Sequence, residues 1–278
     1  MGKEQYGVDL HVHTTASDGY YSPMQILEYA DANQLKAVAI TDHDTVEGIK
    51  EIGNRSEEFE VELIPGVEFT TNYEQVVHIL GINLNIYSSQ LTMHLKKVER
   101  KKLFLLAQAL KFVKSNGIEC DMDAILNEKK AITILNVKNY LLEKNITNNG
   151  DFVDSRLKEI IDEWIESMIS PQECIQLIHS CGGKAVLAHP IHLSRDRSVL
   201  KNIILKFKHF GLDGIEVQHP DHSAEDMEVF NNWAEELRLL KSGGSDFHGI
   251  DERNHLAPGN STEDGFVPYS YLVKIKGE

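Results

Sequence analysis

Thirteen histidines are many for a chain of 278 residues, and they gather where short apolar runs end. His11 and His13 stand two apart in Asp9-Leu10-His11-Val12-His13, so on an extended chain both rings share a face. Asp18 follows in the next loop. Two imidazoles and a carboxylate at a strand end make a donor set for a transition metal. Taken alone, the pair reads equally well as two surface histidines. The same residue types recur, however, in Thr41-Asp42-His43-Asp44, in Ile64-Pro65-Gly66-Val67-Glu68, at His189 after an apolar run, and in Gly244-Ser245-Asp246-Phe247-His248. His78 lies among Val76, Val77, Ile79 and Leu80, where a histidine of the core is as natural a reading as a ligand. Such a series at successive strand ends does not arise easily from core packing.

These residues need elements to position them. Val8 to Val12 alternates as a short strand, and Ser22-Pro23 starts a helix that runs to about Asn33. Leu35 to Ile40 is a continuous apolar strand of the kind buried in a parallel sheet. The right-handed crossover between them sets the two strands parallel, with His11, His13 and His43 on one edge, where α/β proteins keep their active sites. A helix over 45–57, a strand over 61–69 with Glu68 near its end, and a run from Gln75 to Gly81 follow. The alternation then stops. A long helix over 91–115 carries Lys96, Lys97, Arg100, Lys101 and Lys102 on its polar side, either a solvated face or an aid in steering a phosphate-bearing ligand. Shorter helices are expected at 121–129, 133–144 and 153–168. From Ser170-Pro171 the βα pattern resumes through strands at 184–188, 214–217 and near 239–241, with a strand-like tail at Tyr271–Ile275. The expected division is a discontinuous catalytic barrel, 1–86 with 169–278, around a helical insertion or cap at 87–168.

The bulk numbers bound the function. Hydrophobic content of 41% and charged content of 26% are those of a soluble globular protein. A net charge of −15 argues against broad electrostatic binding to duplex nucleic acid or an anionic membrane. Cys120, Cys174 and Cys181 form no paired motif and fit a reducing, cytoplasmic setting as buried small hydrophobes. No apolar run is long enough to span a bilayer. No obligate protein partner is evident.

The segments DLHVHTTASDG (9–19), AITDHDTVEG (39–48), IPGVE (64–68), HILG (78–81), GGKAVLAHP (182–190), GIEVQHPDHS (214–223) and GSDFHG (244–249) resemble the motifs of the PHP (polymerase and histidinol phosphatase) superfamily of metal-dependent phosphoesterases. The central insertion and the GIEV element look most like the branch acting on nucleotides and oligonucleotides. The resemblance implies an α/β fold, a distorted (β/α)7 TIM-like barrel, and three divalent ions, Mn²⁺, Fe²⁺ or Zn²⁺. It implies a first site of His11, His13, Glu68 and Asp246, with Glu68 bridging to a second completed by His78 and His189. Asp18, His43 and His248 would hold the third. Asp42 and Asp44 would orient ligands or carry a proton near the leaving oxygen. His222 matches a family histidine that contacts phosphate or protonates the leaving group. The nucleophile would be a metal-bound hydroxide in an in-line displacement at phosphorus.

One departure stands out. Family members often carry an arginine three residues after the histidine of the His-Pro pair, where this chain has His192. Arg195 or Arg197, in the following loop, could reach the phosphate instead. His94, His179, His209, His219 and His255 match no ligand position and read as structural or surface residues. The expected activity is hydrolysis of a phosphate ester of a nucleotide, such as a 3′,5′-nucleoside bisphosphate, or of the end of a short oligonucleotide. The alternatives are a histidinol-phosphate phosphatase and a non-catalytic metal-binding PHP module.

Overall fold

The computed structural model describes residues 7–115, 150–249, 258–259 and 266–278. The helices expected at 121–129 and 133–144, Cys120 and His255 lie outside the described residues. Two compact units emerge, Met1–Thr92 with Ile169–Glu278, and Met93–Met168.

In the first unit, β1 (Gly7–Val12) pairs in parallel with β2 (Ala37–Ile40), and β2 with β3 (Glu62–Tyr73). Between β1 and β2 runs α1 (Pro23–Ala32), opened by a reciprocal Ser22–Gln25 capping box with Pro23 in its first turn. The helix expected at 45–57 divides into α2 (Glu47–Ile52) and a 3₁₀ segment, Gly53–Glu58, broken at Gly53 with its φ of 53°. β4 (Gln75–Ile82) folds back antiparallel on β3 through a turn at Glu74, whose φ is 59°. Glu68 is therefore not near a strand end as expected. β3 runs on to Tyr73, because the residues beyond Glu68 find ladder partners in the hairpin.

The 27-residue α3 (Ser89–Ser115) starts in the first unit and continues into the second, which also contains α4 (Gly150–Glu166). The chain re-enters the sheet through α5 (Pro171–Ser180), β5 (Lys184–Leu187), α6 (Arg197–Phe210), β6 (Gly214–Gln218), α7 (Ala224–Glu236) and β7 (Leu240–Gly243). β5 pairs antiparallel with β4, and β5, β6 and β7 are parallel. The order is β7-β6-β5-β4-β3-β2-β1, with a two-residue β8 (Val267–Pro268) antiparallel to β1. The ends meet where Val12 bridges to Phe247 and the His13 N–H donates to the Phe247 carbonyl at 3.0 Å. An eight-strand, barrel-shaped sheet is thus nearly closed beside its first histidines.

The expected terminal strand is instead a helix, α8 (Tyr269–Lys276). Its alternating, β-branched look is overridden by Leu272 and Ile275, three apart, which bury into the same apolar cluster as Val8, Leu10, Ala39, Leu80 and Val186. Gly277, with a φ of 80°, caps the helix in the left-handed region. Along β1 the residues between Val8 and Leu10 face the other way by the two-residue period. Asp9 and His11 are nevertheless fully buried, and what buries them is the polar site.

Candidate metal centre

β1 delivers His11 at its buried centre and His13 one residue past its end. Nε2 of His11 lies 3.1 Å from Nε2 of His13. Glu68 Oε2 is 3.3 Å from the first nitrogen and 3.1 Å from the second. Asp246 Oδ1, from the loop after β7, is 3.2 Å and 3.1 Å from the same two atoms. Four donors from three parts of the chain thus surround one point. The other Glu68 oxygen, Oε1, meets His78 Nδ1 and His189 Nε2, each at 3.0 Å, and these two nitrogens are 3.4 Å apart. His43 Nδ1 also stands 3.1 Å from Glu68 Oε2. On the far side of His13, its Nδ1 lies 3.7 Å from Asp18 Oδ1, with His248 Nε2 at 3.4 Å from that oxygen and His43 Nε2 at 3.9 Å from Asp18 Oδ2.

Three groups able to hold a cation result: His11, His13, Glu68 and Asp246; His43, Glu68 and His78; and His13, Asp18, His43 and His248. His189 joins the second through its contacts with Glu68 and His78. Glu68 and His13 each serve two groups from opposite atoms. All of the ligand-type residues singled out from the sequence are gathered here.

A cation fits this arrangement. Bonds of about 2.0–2.2 Å to imidazole nitrogen and carboxylate oxygen place neighbouring donors about 3.0–3.5 Å apart, which is the spacing seen between His11, His13, Glu68 and Asp246. Buried polar atoms without hydrogen-bond partners concentrate here too, namely His13 Nδ1, His43 Nδ1, His189 Nδ1 and Asp246 Oδ1. The donor set is all nitrogen and oxygen, with no thiolate, as suits Mn²⁺, Fe²⁺ or Zn²⁺.

Electrostatics point the same way. Burial works against the charge of His11, but Asp246, Glu68 and Glu216 outweigh it and lift its pKa well above the ordinary histidine value. Burial likewise opposes the charge of His13, and Asp246 and Glu68 overcome it, raising its pKa to about 10. Desolvation alone would raise the carboxyls of Glu68 and Asp246, yet the surrounding imidazoles hold both well below the usual range. His43, where desolvation dominates, falls to about 4.

Beneath the donors a set of hydrogen bonds fixes them. Asp9 accepts from the backbone N–H groups of His11, Ser245 and Gly259 and from the Ser245 hydroxyl, at 3.2, 3.0, 2.7 and 2.6 Å. It ties β1 to the loop carrying Asp246. Asp42 accepts from the Thr14 N–H and the Thr14 and Ser17 hydroxyls at 2.7, 2.8 and 2.6 Å, which holds the loop presenting Asp18. Both Asp44 oxygens are taken by Thr70, through its N–H and hydroxyl, each at 2.9 Å. Asp44, His189 and Asp246 all sit at positive φ, 52°, 23° and 48°, a strained conformation that concentrates at functional sites. Gly244 is required by close approach: a Cβ there would lie 2.4 Å from His11 Cβ.

Two residues that the sequence reading passed over belong to this site. Glu216 in β6 is fully buried, with Oε1 3.1 Å from His11 Nδ1 and Oε2 accepting the His189 N–H at 2.7 Å. It orients one imidazole and the backbone of another in the manner of a carboxylate behind a metal-bound histidine. A charged residue between Ile215 and Val217 in an apolar strand was the signal. His219, read as structural or surface, is buried with Nε2 3.4 Å from Asp246 Oδ2. Its proximity to Asp246 depends on β6 pairing with β7, which no local pattern announces.

The residues expected to meet substrate are placed less uniformly. His222 is buried beside His219, its Nδ1 directed at the Val217 carbonyl at 2.9 Å and its Nε2 unpartnered. Desolvation and neighbouring His219 hold its pKa near about 4, so its free nitrogen is an acceptor at neutral pH. Arg195 is exposed. Arg197 is drawn away to Asp226 and lies over the Phe230 ring. At the position of the expected arginine, His192 lies tilted against His189 with ring centres 4.5 Å apart and pairs with Asp221 at 2.7 Å.

The chain is similar to several known proteins. A 5′-3′ exoribonuclease of Haemophilus influenzae is 30% identical over 250 residues, 86% of this chain and 89% of the relative. The Escherichia coli 5′-3′ exoribonuclease Rnm is 31% identical over 262 residues, covering 89% of this chain and 88% of its own length. A 3′,5′-nucleoside bisphosphate phosphatase of Chromobacterium violaceum is 27% identical over 253 residues, 88% of each chain. Among solved structures, an amidohydrolase of Chromobacterium violaceum with bound sulfate shares the fold at a TM-score of 0.74 and 23% identity, with 96% of each chain covered. The PHP domain family matches residues 9–240, a span that contains His11, His13, Glu68, His78, His189 and Glu216. The chain belongs to the PHP family.

Proposed function

We propose that this protein is a metal-dependent phosphoesterase that hydrolyses a phosphate ester of a nucleotide, such as a 3′,5′-nucleoside bisphosphate, or of the end of a short oligonucleotide. The observation that carries the reading is the sharing of Glu68 and His13 between adjacent donor groups. A shared carboxylate sets two cations close enough to act on one phosphoryl group. The activities of the relatives, ribonuclease and nucleotide phosphatase, support the substrate class.

We assign one ion to His11, His13, Glu68 and Asp246, a second to Glu68, His78 and His189, and a third to Asp18, His43 and His248, with His13 Nδ1 facing it. Mn²⁺, Fe²⁺ and Zn²⁺ suit these donors. Ions held by these residues would supply charge neutralisation at the phosphoryl oxygens and a lowered pKa for attacking water. The protein's own residues do the rest. Asp44 and Asp42 are positioning residues, holding the segment around His43 to Thr70 and to the Asp18 loop respectively. Glu216 holds His11 in the tautomer that presents Nε2. His222 offers an acceptor nitrogen beside the donors, and Arg195 is the cation free to approach a substrate phosphate.

The test is a phosphate-release screen of metal-loaded protein over nucleotides, 3′,5′-bisphosphates, short 5′-phosphorylated RNA and histidinol phosphate. Release from nucleotide or RNA substrates well above the rest is expected. Preference for histidinol phosphate, or no release from any, contradicts the proposal.

A further inference from the structure

Helix α3 concentrates positive charge in an acidic protein. Between Ser89 and Ser115 it carries Lys96, Lys97, Arg100, Lys101, Lys102, Lys111 and Lys114 against Glu99 alone, in a chain of net charge −15. The buried side of the helix is apolar, with Leu95, Leu105, Leu106, Ala109 and Val113. At about 100° per residue, Met93, Lys96, Lys97, Arg100, Leu103, Phe104, Lys111 and Lys114 fall within one arc of about 120°, with Glu99 outside it. All eight are exposed. Lys96, Lys97, Arg100, Lys111 and Lys114 make no ion pair among the described residues, whereas Lys101 is held by Glu163 and Lys102 lies over Trp164. Leu103 and Phe104, each at 58% exposure, stand in water between the unpaired cations, and Met93, at 65%, just before them.

We propose that this face of α3 binds the backbone and bases of single-stranded RNA. The pattern suits that occupant. The unpaired cations form two groups, Lys96, Lys97 and Arg100, then Lys111 and Lys114, about three turns apart along about 27 Å of helix with Leu103 and Phe104 between them, which matches a flexible polyanion rather than one phosphate. An exposed phenylalanine flanked by lysines is the stacking platform that single-stranded nucleic acid uses without sequence preference. A membrane-lying helix needs a broad apolar face free to enter lipid, and here that face is occupied by the protein's own core. The inference rests on the reading of the chain as an enzyme that accepts oligonucleotides.

The experiment uses the full chain stripped of metal with EDTA, so that binding is read without turnover. A 3′-fluorescein-labelled, 5′-phosphorylated single-stranded RNA 12-mer is titrated by anisotropy at several salt concentrations. Binding should weaken with salt at a log–log slope of about −2 to −3.5, as expected for three to five phosphate contacts on a single strand. The charge reversal Lys96→Glu/Lys97→Glu/Arg100→Glu should lower affinity tenfold or more. Lys96→Gln/Lys97→Gln/Arg100→Gln should have a smaller effect, and Phe104→Ala should cost about fivefold or more with little change in salt slope. Metal-loaded charge-reversal protein should hydrolyse p-nitrophenyl phosphate as the parent does, which shows that it is folded. RNA affinity equal to the parent's in the charge-reversal protein overturns the proposal. So does binding to phosphatidylglycerol vesicles with none to RNA. Salt-sensitive RNA binding by a protein that hydrolyses no phosphate ester would sink the enzymatic reading and leave the RNA face standing; hydrolysis of nucleotides without RNA binding does the reverse.

Discussion

Glu68 is the residue on which the site depends most. Each of its oxygens meets a different set of imidazoles, so Glu68→Gln removes a negative charge from two groups at once. Loss of turnover together with loss of bound metal is the expected result, measured by metal analysis beside phosphate release. Glu216 acts one step behind. Its removal as Glu216→Gln should weaken metal affinity about 10–100-fold, read by competition with a chromophoric chelator, while the fold persists. The raised pKa values of His11 and His13, the latter to about 10, carry a sign for metal uptake. In metal-free protein at pH 7 these imidazoles hold protons that an ion must displace. Metal affinity should therefore rise with pH through the neutral range, and binding should release protons, as calorimetry in two buffers of different ionisation enthalpy will show. His11, His13 and His43 were legible from spacing because a strand's two-residue period and an abrupt polar run after apolar residues are local signals. Glu216 and His219 were not, because their roles come from strand neighbours remote in sequence.

At the scale of elements, strands carry donors and short hydrogen-bonded loops hold them still. α7 shows how such an element is fixed. Its Ser223 cap and Asp226 form a reciprocal capping box, and Asp226 also receives Arg197 from α6. Burial disfavours the Asp226 charge, but the hydrogen bonds from Arg197 and Ser223 hold its pKa down to about 2. A depressed carboxyl contributes stability in full above its unfolded value of about 4 and loses it as pH falls toward 2. Asp226→Asn should thus cost about 1–2 kcal/mol near pH 7, and denaturant midpoints of the two proteins should converge near pH 2. Gly244→Ala forces a methyl against His11 and should destabilise by about 1–3 kcal/mol while displacing Asp246, seen as a lower Tm with weaker metal binding. The βα units before and after the insertion were readable from capped helices and apolar strands. The β3–β4 hairpin carried Glu68 to mid-strand, and α8 replaced an expected strand. In both places the pairing partner or the packing surface, rather than local propensity, set the outcome.

For the whole molecule, a buried array of imidazoles and carboxylates is costly without cations, so metal should contribute substantially to stability. Adding EDTA should lower Tm, and restoring an ion at about a hundred times its Kd should return about 2.7 kcal/mol. The strongly acidic balance of the chain includes Asp18, Glu68 and Asp246 of the candidate metal centre. No helix among the described residues is long and apolar enough to cross a membrane. On the proposed function, the gathered histidines and carboxylates hold ions that hydrolyse phosphate esters of nucleotides. The most direct test follows phosphate release from a 3′,5′-nucleoside bisphosphate and from a short 5′-phosphorylated RNA as Mn²⁺ is titrated into EDTA-stripped protein. No release is expected before metal is added, then a saturable rise with occupancy that is absent in Glu68→Gln; release undiminished by stripping, or none at full occupancy, would overturn the assignment.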